Sequence, residues 1–231
     1  MRRKIRELYV AIFKVEDKSY LDQIEDTFTR QGLDLRKRLL CAMSILTATG
    51  SDRHLRLFVE WALTEDVPVQ EIYEVILQTY LFAGYPAAIE GFFVLRDVLQ
   101  TKKMSLQCGE VAYCVNDCRE HGLQLCRRVY GKHFDQLQKN MREISPELEE
   151  WMIVEGYGKV LSRPQLGAVE RELCTVAALT AMGKERQLLS HIKGALNVGA
   201  DRDEVRETIL QTSLFAGLPA ALKGLELFRQ C

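Results

Sequence analysis

The stretch Ile209-Leu-Gln-Thr-Ser-Leu-Phe-Ala-Gly-Leu-Pro-Ala-Ala-Leu-Lys-Gly224 occurs twice in this chain. Its other copy, Ile76-Leu-Gln-Thr-Tyr-Leu-Phe-Ala-Gly-Tyr-Pro-Ala-Ala-Ile-Glu-Gly91, lies 133 residues earlier. Followed backwards at the same offset, the copies align without a gap to Arg38-Leu-Leu-Cys41 and Arg171-Glu-Leu-Cys174. Roughly 25 of about 60 aligned positions are identical. The duplicated unit is therefore far longer than a solenoid repeat. The chain is expected to form two related modules, residues 1–100 and 107–231, packed on each other.

Apolar residues make up 47% of the 231 positions, enough for a sizeable core. A net charge of −1 leaves no electrostatic footprint for nucleic acid or an anionic membrane. The basic start, Met1-Arg-Arg-Lys, precedes an apolar run broken by Lys14, Glu16 and Asp17, a poor signal peptide. No stretch is long and apolar enough to span a bilayer. The expectation is a cytoplasmic protein that acts on a small molecule, with neither nucleic acid nor membrane as partner.

Seven cysteines in such a setting are expected to be reduced. Cys108, Cys114, Cys118 and Cys126 cluster, and Cys114, Cys118 and His121 would share one helix face. A metal or redox site is one reading. Small buried residues mixed with exposed thiols is the other. The chain has no Cys-x-x-Cys knuckle, and the expectation is no metal.

Periodicity is helical from Tyr20 onward, and residues 1–16 read as an arm or short element. Leu21, Ile24 and Phe28 form an apolar stripe stopped by Gly32. Helices follow over 35–49, 52–64 and from Pro68 to Ala83. Gly84 ends that helix and Pro86 opens the next, which continues to about Leu99. Thr101 to Leu106 reads as a linker. Val111 to Tyr130 is helical, interrupted at Gly122, and has no counterpart in the aligned repeat. Further helices start near Phe134 and at Pro146. Glu155 to Pro164 leads into the second copy, whose helices span 167–182, 185–197, 202–216 and 219–229. Asp201 with Glu204 forms a capping box. No strand alternation occurs, so the fold class is all-α.

The copies differ where chemistry is possible. His191 aligns with Phe58, Glu172 with Leu39 and Asn197 with Thr64. Glu172 and His191 on adjacent antiparallel helices would meet, and a histidine held against a carboxylate is suited to proton transfer near neutral pH. A hydrogen-bonded core histidine is the structural alternative. Gln78 and Gln211 read as satisfying backbone, and Cys41 with Cys174, kept in both copies, as core packing.

Arg171-Glu-Leu-Cys-Thr-Val-Ala-Ala-Leu-Thr-Ala-Met-Gly183, Ser190-His-Ile-Lys-Gly-Ala-Leu-Asn-Val-Gly199, Phe215-Ala-Gly-Leu-Pro-Ala-Ala221 and the lead-in Tyr157-Gly-Lys-Val-Leu-Ser-Arg-Pro164 resemble the carboxymuconolactone decarboxylase family. The first copy matches through its Phe82-Ala-Gly-Tyr-Pro-Ala-Ala88 corner. The resemblance implies two tandem alkylhydroperoxidase D-like helical modules and a homo-oligomer: a dimer, or a trimer acting as a pseudo-hexamer.

The family's redox branch carries a Glu, a Cys-x-x-Cys and a His. Glu172 and His191 match that Glu and His, but Lys184 and Gln187 stand at the cysteine positions, so both thiols are missing. The decarboxylase branch keeps the His without the cysteines. By that resemblance His191 is the catalytic acid or hydrogen-bond donor and Glu172 orients it. Arg163, or else Arg171, clamps the substrate carboxylate, and Glu155 and Tyr157 line the pocket. The implied function is cofactor-free decarboxylation or isomerisation of a small carboxylated lactone or organic acid, with a degenerate first module. Two rivals stand beside it: an alkylhydroperoxidase-like activity using other cysteines, and a non-catalytic oligomeric binding module.

Overall fold

A computed structural model describes residues 2–14, 17–106 and 115–231, and no strand occurs among them. The first module comprises α1 (Arg2–Phe13), α2 (Lys18–Phe28), α3 (Leu35–Ala48), α4 (Asp52–Thr64) and α5 (Val69–Thr101). The expected arm at the start is a 12-residue helix. Its aromatic face fastens it: Tyr9 stacks on Phe13 and meets Tyr20, and Phe13 lies 4.6 Å from the His54 ring. Leu21, Ile24 and Phe28 are all buried on α2, as their spacing requires.

Within α5 the two helices expected around Gly84 meet at a sharp kink. Gly84 adopts φ 86° and ψ 167°, a conformation that strains any residue with a Cβ. Gly217 repeats it in the second module with φ 81° and ψ 161°. Pro86 and Pro219 then restart the helix where a missing N–H is harmless.

The second module comprises α6 (Val115–Tyr130), a 3₁₀ turn (Gly131–His133), α7 (Phe134–Ile144), α8 (Pro146–Trp151), a π-helix (Met152–Leu161), α9 (Ala168–Ala181), α10 (Glu185–Val198), α11 (Arg202–Gln211), α12 (Ser213–Ala216) and α13 (Leu218–Phe228). Two expectations change here. Helix α6 runs through Gly122 without interruption. The lead-in at Glu155 is itself helical, wound wide enough that the Ser162 N–H reaches the Tyr157 carbonyl five residues back. Both changes have one cause: α6 crosses the π-helix at two glycines. A Cβ on Gly122 would collide with the Ile153 carbonyl, and one on Gly158 with that of Cys118. The expected box at α11 forms, with the Asp201 N–H donating to the Glu204 carboxylate at 3.0 Å.

The modules share a large hydrophobic core, in which Leu39, Met43 and Phe58 mingle with Leu173, Val176 and Ile192, and a smaller cluster around Cys126, Val129 and Ile153 packs α6 on the π-helix. Helices α3 and α9, counterparts in the duplication, pack against each other. There Ser44 Oγ donates to the Cys174 carbonyl at 2.8 Å. Gln78 Nε2 donates to the Arg171 carbonyl and Gln211 Nε2 to that of Arg38, so each glutamine satisfies the other module's backbone. No helix among the described residues is long and apolar enough to cross a membrane.

Candidate functional site

Helix α10 turns Leu188, His191, Ile192 and Ala195 inward, the i, i+3, i+4, i+7 face expected of an amphipathic helix. His191 is the polar member of that face, and Glu172 is buried on the neighbouring α9. His191 Nδ1 lies 2.8 Å from Glu172 Oε2. Only 7% of His191 is exposed, so the pair meets in a region almost closed to water. Gly194, one turn on, makes room for the carboxylate: a Cβ there would lie 2.8 Å from Glu172 Oε2 and 2.7 Å from Val129 Cγ1. The first module completes the wall. Phe82, beside the Gly84 kink, presents its ring edge-on to His191 at 5.6 Å and 90°.

Helix α6 and the π-helix close the other side. Tyr157 Oη donates to Tyr130 Oη at 3.0 Å. Burial drives the Tyr157 phenol well above its ordinary value of 10, and the neighbouring Tyr130 and Glu172 push the same way. Burial also raises Tyr130, partly offset by the bond from Tyr157 and reinforced by Glu172. Both are neutral hydroxyls facing the Glu172 charge. Cys126 sits beside them, fully buried, and burial followed by the Glu172 charge pushes its thiol far above the ordinary range. A thiolate nucleophile needs the opposite environment.

The same place in the first module is filled. At the 133-residue offset, Phe58 replaces His191, Leu39 replaces Glu172 and Trp61 replaces Gly194. Phe58 and Trp61 pack with Phe28, and Phe58 meets Phe215 at 5.4 Å, the counterpart of the His191–Phe82 contact. The first module thus holds an aromatic plug where the second holds a histidine hydrogen-bonded to a carboxylate.

Of the residues expected to bind substrate, Tyr157 lies at this site. The two arginines are engaged elsewhere. Arg163 donates to both Glu74 oxygens at 3.0 Å. Arg171, 2% exposed, donates to Glu74 at 2.8 Å, to Gln78 and to the carbonyls of Leu166 and Arg163. Their charges answer a buried carboxylate of the other module. Glu155 pairs with Lys159 at 2.7 Å, one helical turn away at the partly exposed surface. Sequence reasoning missed Phe82, Tyr130, Cys126 and Gly194. The alignment of Gly194 with Trp61 was the available signal for the last.

Of the cysteine cluster, Cys108 and Cys114 lie outside the described residues. Cys118 is buried against the π-helix crossing, and His121 is exposed. Among the described residues, no group of three or more His, Cys, Asp or Glu side chains is placed to hold a metal. One hollow, about 360 Å³, runs along one face of α7 at Asp135, Gln138 and Arg142 and touches none of the site residues. A second, about 210 Å³, opens beside α10 and includes Tyr130.

The sequence matches the carboxymuconolactone decarboxylase family over residues 19–97 and again over 146–230. The chain belongs to that family. One matched segment falls in each module, and the unmatched interval between them contains α6 and α7. Among characterised relatives, 4-carboxymuconolactone decarboxylase of Acinetobacter baylyi is 36% identical over 44% of this chain and 77% of its own length. Peroxisomal protein 2 of Saccharomyces cerevisiae is 26% identical over 57% of this chain and 56% of its own. Nitrosuccinic acid decarboxylase of Metarhizium robertsii is 23% identical over 46% of this chain and 75% of its own. Within the family, this chain places its buried His–Glu pair in the second module alone.

Proposed function

We propose that the second module decarboxylates a small acid whose departing electrons are received by an adjacent acceptor. The observation that carries this is the buried 2.8 Å contact between His191 Nδ1 and Glu172 Oε2, present in one module and replaced by hydrocarbon in the other. The names of two relatives share one chemical feature. A carboxymuconolactone has its carboxylate on a carbon linked through a double bond to the lactone carbonyl, and nitrosuccinic acid has one beside a nitro group. In each, breaking the carbon–carboxylate bond moves the electron pair onto an oxygen of the acceptor, and carbon dioxide leaves.

The resulting anion must be held and then protonated on carbon. Glu172 fixes the imidazole through Nδ1, leaving Nε2–H to deliver the proton. The ring regains that proton from solvent, so one proton is consumed per carbon dioxide released. The neutral hydroxyls of Tyr130 and Tyr157 are hydrogen-bond donors for the developing oxyanion. The reaction needs no thiolate, in agreement with the raised Cys126.

Carbon dioxide release from 4-carboxymuconolactone and from nitrosuccinate tests the reading. His191→Ala is expected to lower kcat by roughly 10²–10⁴-fold, the usual contribution of a positioned acid, and Glu172→Gln by less. Turnover of either compound that is equal in wild type and His191→Ala would sink it.

A further inference from the structure

The 210 Å³ cleft beside α10 has a composition that the reaction at His191 does not by itself explain. Tyr130, His133 and Gln136 line one side, and Ser190, Lys193 and Asn197 the other. No acidic residue is among its lining. Lys193 and His133 are exposed, and among the described residues neither has an ion pair. A cation without an ion pair, beside hydroxyl and amide groups and the apolar side chains of Val129 and Leu137, suits the carboxylate and short hydrocarbon of a small organic acid. The volume is below the roughly 300–1,000 Å³ of drug-sized sites, which favours a small organic acid.

The cleft also adjoins the buried pair. Ser190, Lys193 and Asn197 follow the i, i+3, i+7 spacing of one face of α10, and His191 and Gly194 sit one residue further round, facing inward. Tyr130 belongs to both places: its side chain lines the cleft, and its hydroxyl accepts from Tyr157 inside. The rim is pinned at two points, by Asn197 Nδ2 donating to the Val129 carbonyl at 2.7 Å and by Arg128 donating to that of Val198 at 3.3 Å. Val129 also belongs to both places: it lines the cleft, and its Cγ1 lies 2.7 Å from where a Cβ on Gly194 would sit, beside the Glu172 carboxylate.

We propose that this cleft is the port by which a small carboxylate reaches His191, with Lys193 and His133 receiving its charge and Tyr130 as the door between cleft and site. The inference rests on the reading of His191 as the reacting group. A port of this kind prefers acids with a second carboxylate, since one charge can stay on Lys193 while the other end turns inward.

Succinate serves as the probe, with uncharged succinamide as its control, in a titration followed by amide NMR. Succinate is expected to shift the amides of Tyr130, Lys193 and Asn197 where succinamide does not. Lys193→Ala is expected to weaken that binding at least fivefold and to raise the KM of the decarboxylated substrate by a similar factor, and Lys193→Arg to restore both. Lys193 is exposed, so these variants fold. Succinate shifts confined to other surfaces, or equal binding by wild type and Lys193→Ala, would overturn the port. If His191→Ala abolishes turnover while Lys193→Ala leaves KM unchanged, the port fails and the decarboxylase reading stands. If Lys193→Ala loses succinate and neither variant alters carbon dioxide release, the cleft is an anion site unconnected to the chemistry, and both fail.

Discussion

Arg171 and Glu74 form a buried ion pair at 2.8 Å that joins the two modules. Arg38 and Glu207 repeat it at 3.0 Å on the opposite side. Arg163 reinforces the first and Arg30 the second. Each glutamate is thus gripped by two arginines of the other module, and the 133-residue offset carries one grip onto the other. Each module keeps two of these arginines and one of these glutamates, including the module that lacks His191, because they hold the modules together. A lone module would expose or strand a charge that the pair conceals.

Removing one partner of such a pair leaves an uncompensated buried charge, which typically costs about 3–5 kcal/mol. Glu74→Ala is expected to lose that much in urea denaturation. Lys223→Ala, at the exposed pair with Glu185, is expected to stay within about 1 kcal/mol of wild type. Similar losses at both positions would show that the cross-module grips contribute nothing special.

Acid should loosen the same grips. Burial pushes the Glu74 carboxyl up, but the hydrogen bonds from Arg163 and Arg171 outweigh it together and hold it below its ordinary value. Glu207 is held low chiefly by Arg30, with Arg38 assisting against burial. A depressed folded value stabilises fully above the unfolded value, about 4.3 for glutamate, and the stabilisation is lost as pH falls toward the folded one. Urea midpoints between pH 6 and 3 should therefore drop below about pH 4.3. The drop should be shallower in Glu74→Gln/Glu207→Gln. An unchanged slope in that variant would assign acid sensitivity to other groups.

The first module supplies an apolar replacement for the site. Glu172→Leu with His191→Phe installs the residues found at Leu39 and Phe58. Apolar replacement of a buried ionic pair is often neutral or stabilising, so the double variant is expected to unfold within about 1–2 kcal/mol of wild type or above it. His191→Ala alone leaves a buried carboxylate without its partner and is expected to lose about 1–3 kcal/mol. The two single changes should therefore fail to add. Calorimetry of the four proteins decides this, and simple additivity would mean that the pair is not coupled.

The crossing of α6 over the π-helix rests on Gly122 and Gly158. Gly122→Ala drives a methyl into the Ile153 carbonyl, an overpacking expected to cost at least about 1–3 kcal/mol. Since α6 carries Tyr130 and Cys126, the change should also lower turnover by displacing the wall of the site. Hydrogen exchange along α6 would reveal the loosening, and protection equal to wild type would contradict it.

Thiol labelling separates the buried cysteines from a redox role. Among the described residues, Cys41, Cys118, Cys126 and Cys174 are buried and Cys231 is partly exposed. Burial, aided by the adjacent Cys41 thiol, drives Cys174 well above the ordinary thiol value. An aromatic disulfide reagent should modify Cys231 well before those four, which should react only on unfolding. Rapid labelling of Cys126 or Cys174 in the folded protein would revive thiol chemistry at the site.

Helices with strong local signals were legible from sequence alone. Helix α4 occupies Asp52–Thr64, the range its periodicity marks, and the Gly84 and Gly217 corners follow from glycine and proline. The meeting of Glu172 with His191 was legible too, since both belong to adjacent helices of one compact repeat, 19 residues apart. Other parts were not. Nothing local in Glu155–Pro164 distinguishes a π-helix from a connection, because the wide turn is imposed by α6 pressing on Gly158. The destination of Arg163 was equally hidden: a bidentate arginine looks the same in sequence whether a substrate or a protein carboxylate awaits it.

What the sequence determined by itself is therefore the duplicated all-α scaffold and the asymmetry that leaves a histidine–carboxylate pair in one module. Those depend on periodicity, capping and side-chain chemistry, which act over a few turns or show in the alignment of the copies. The tertiary structure alone decided that Arg163 and Arg171 close on Glu74, 89 and 97 residues away in the chain. It alone brought Phe82 to His191 and the Tyr130–Tyr157 pair near Glu172, from elements on either side. Such contacts depend on how the modules pack, and burying a charge or a ring is favourable only once its distant partner is in place.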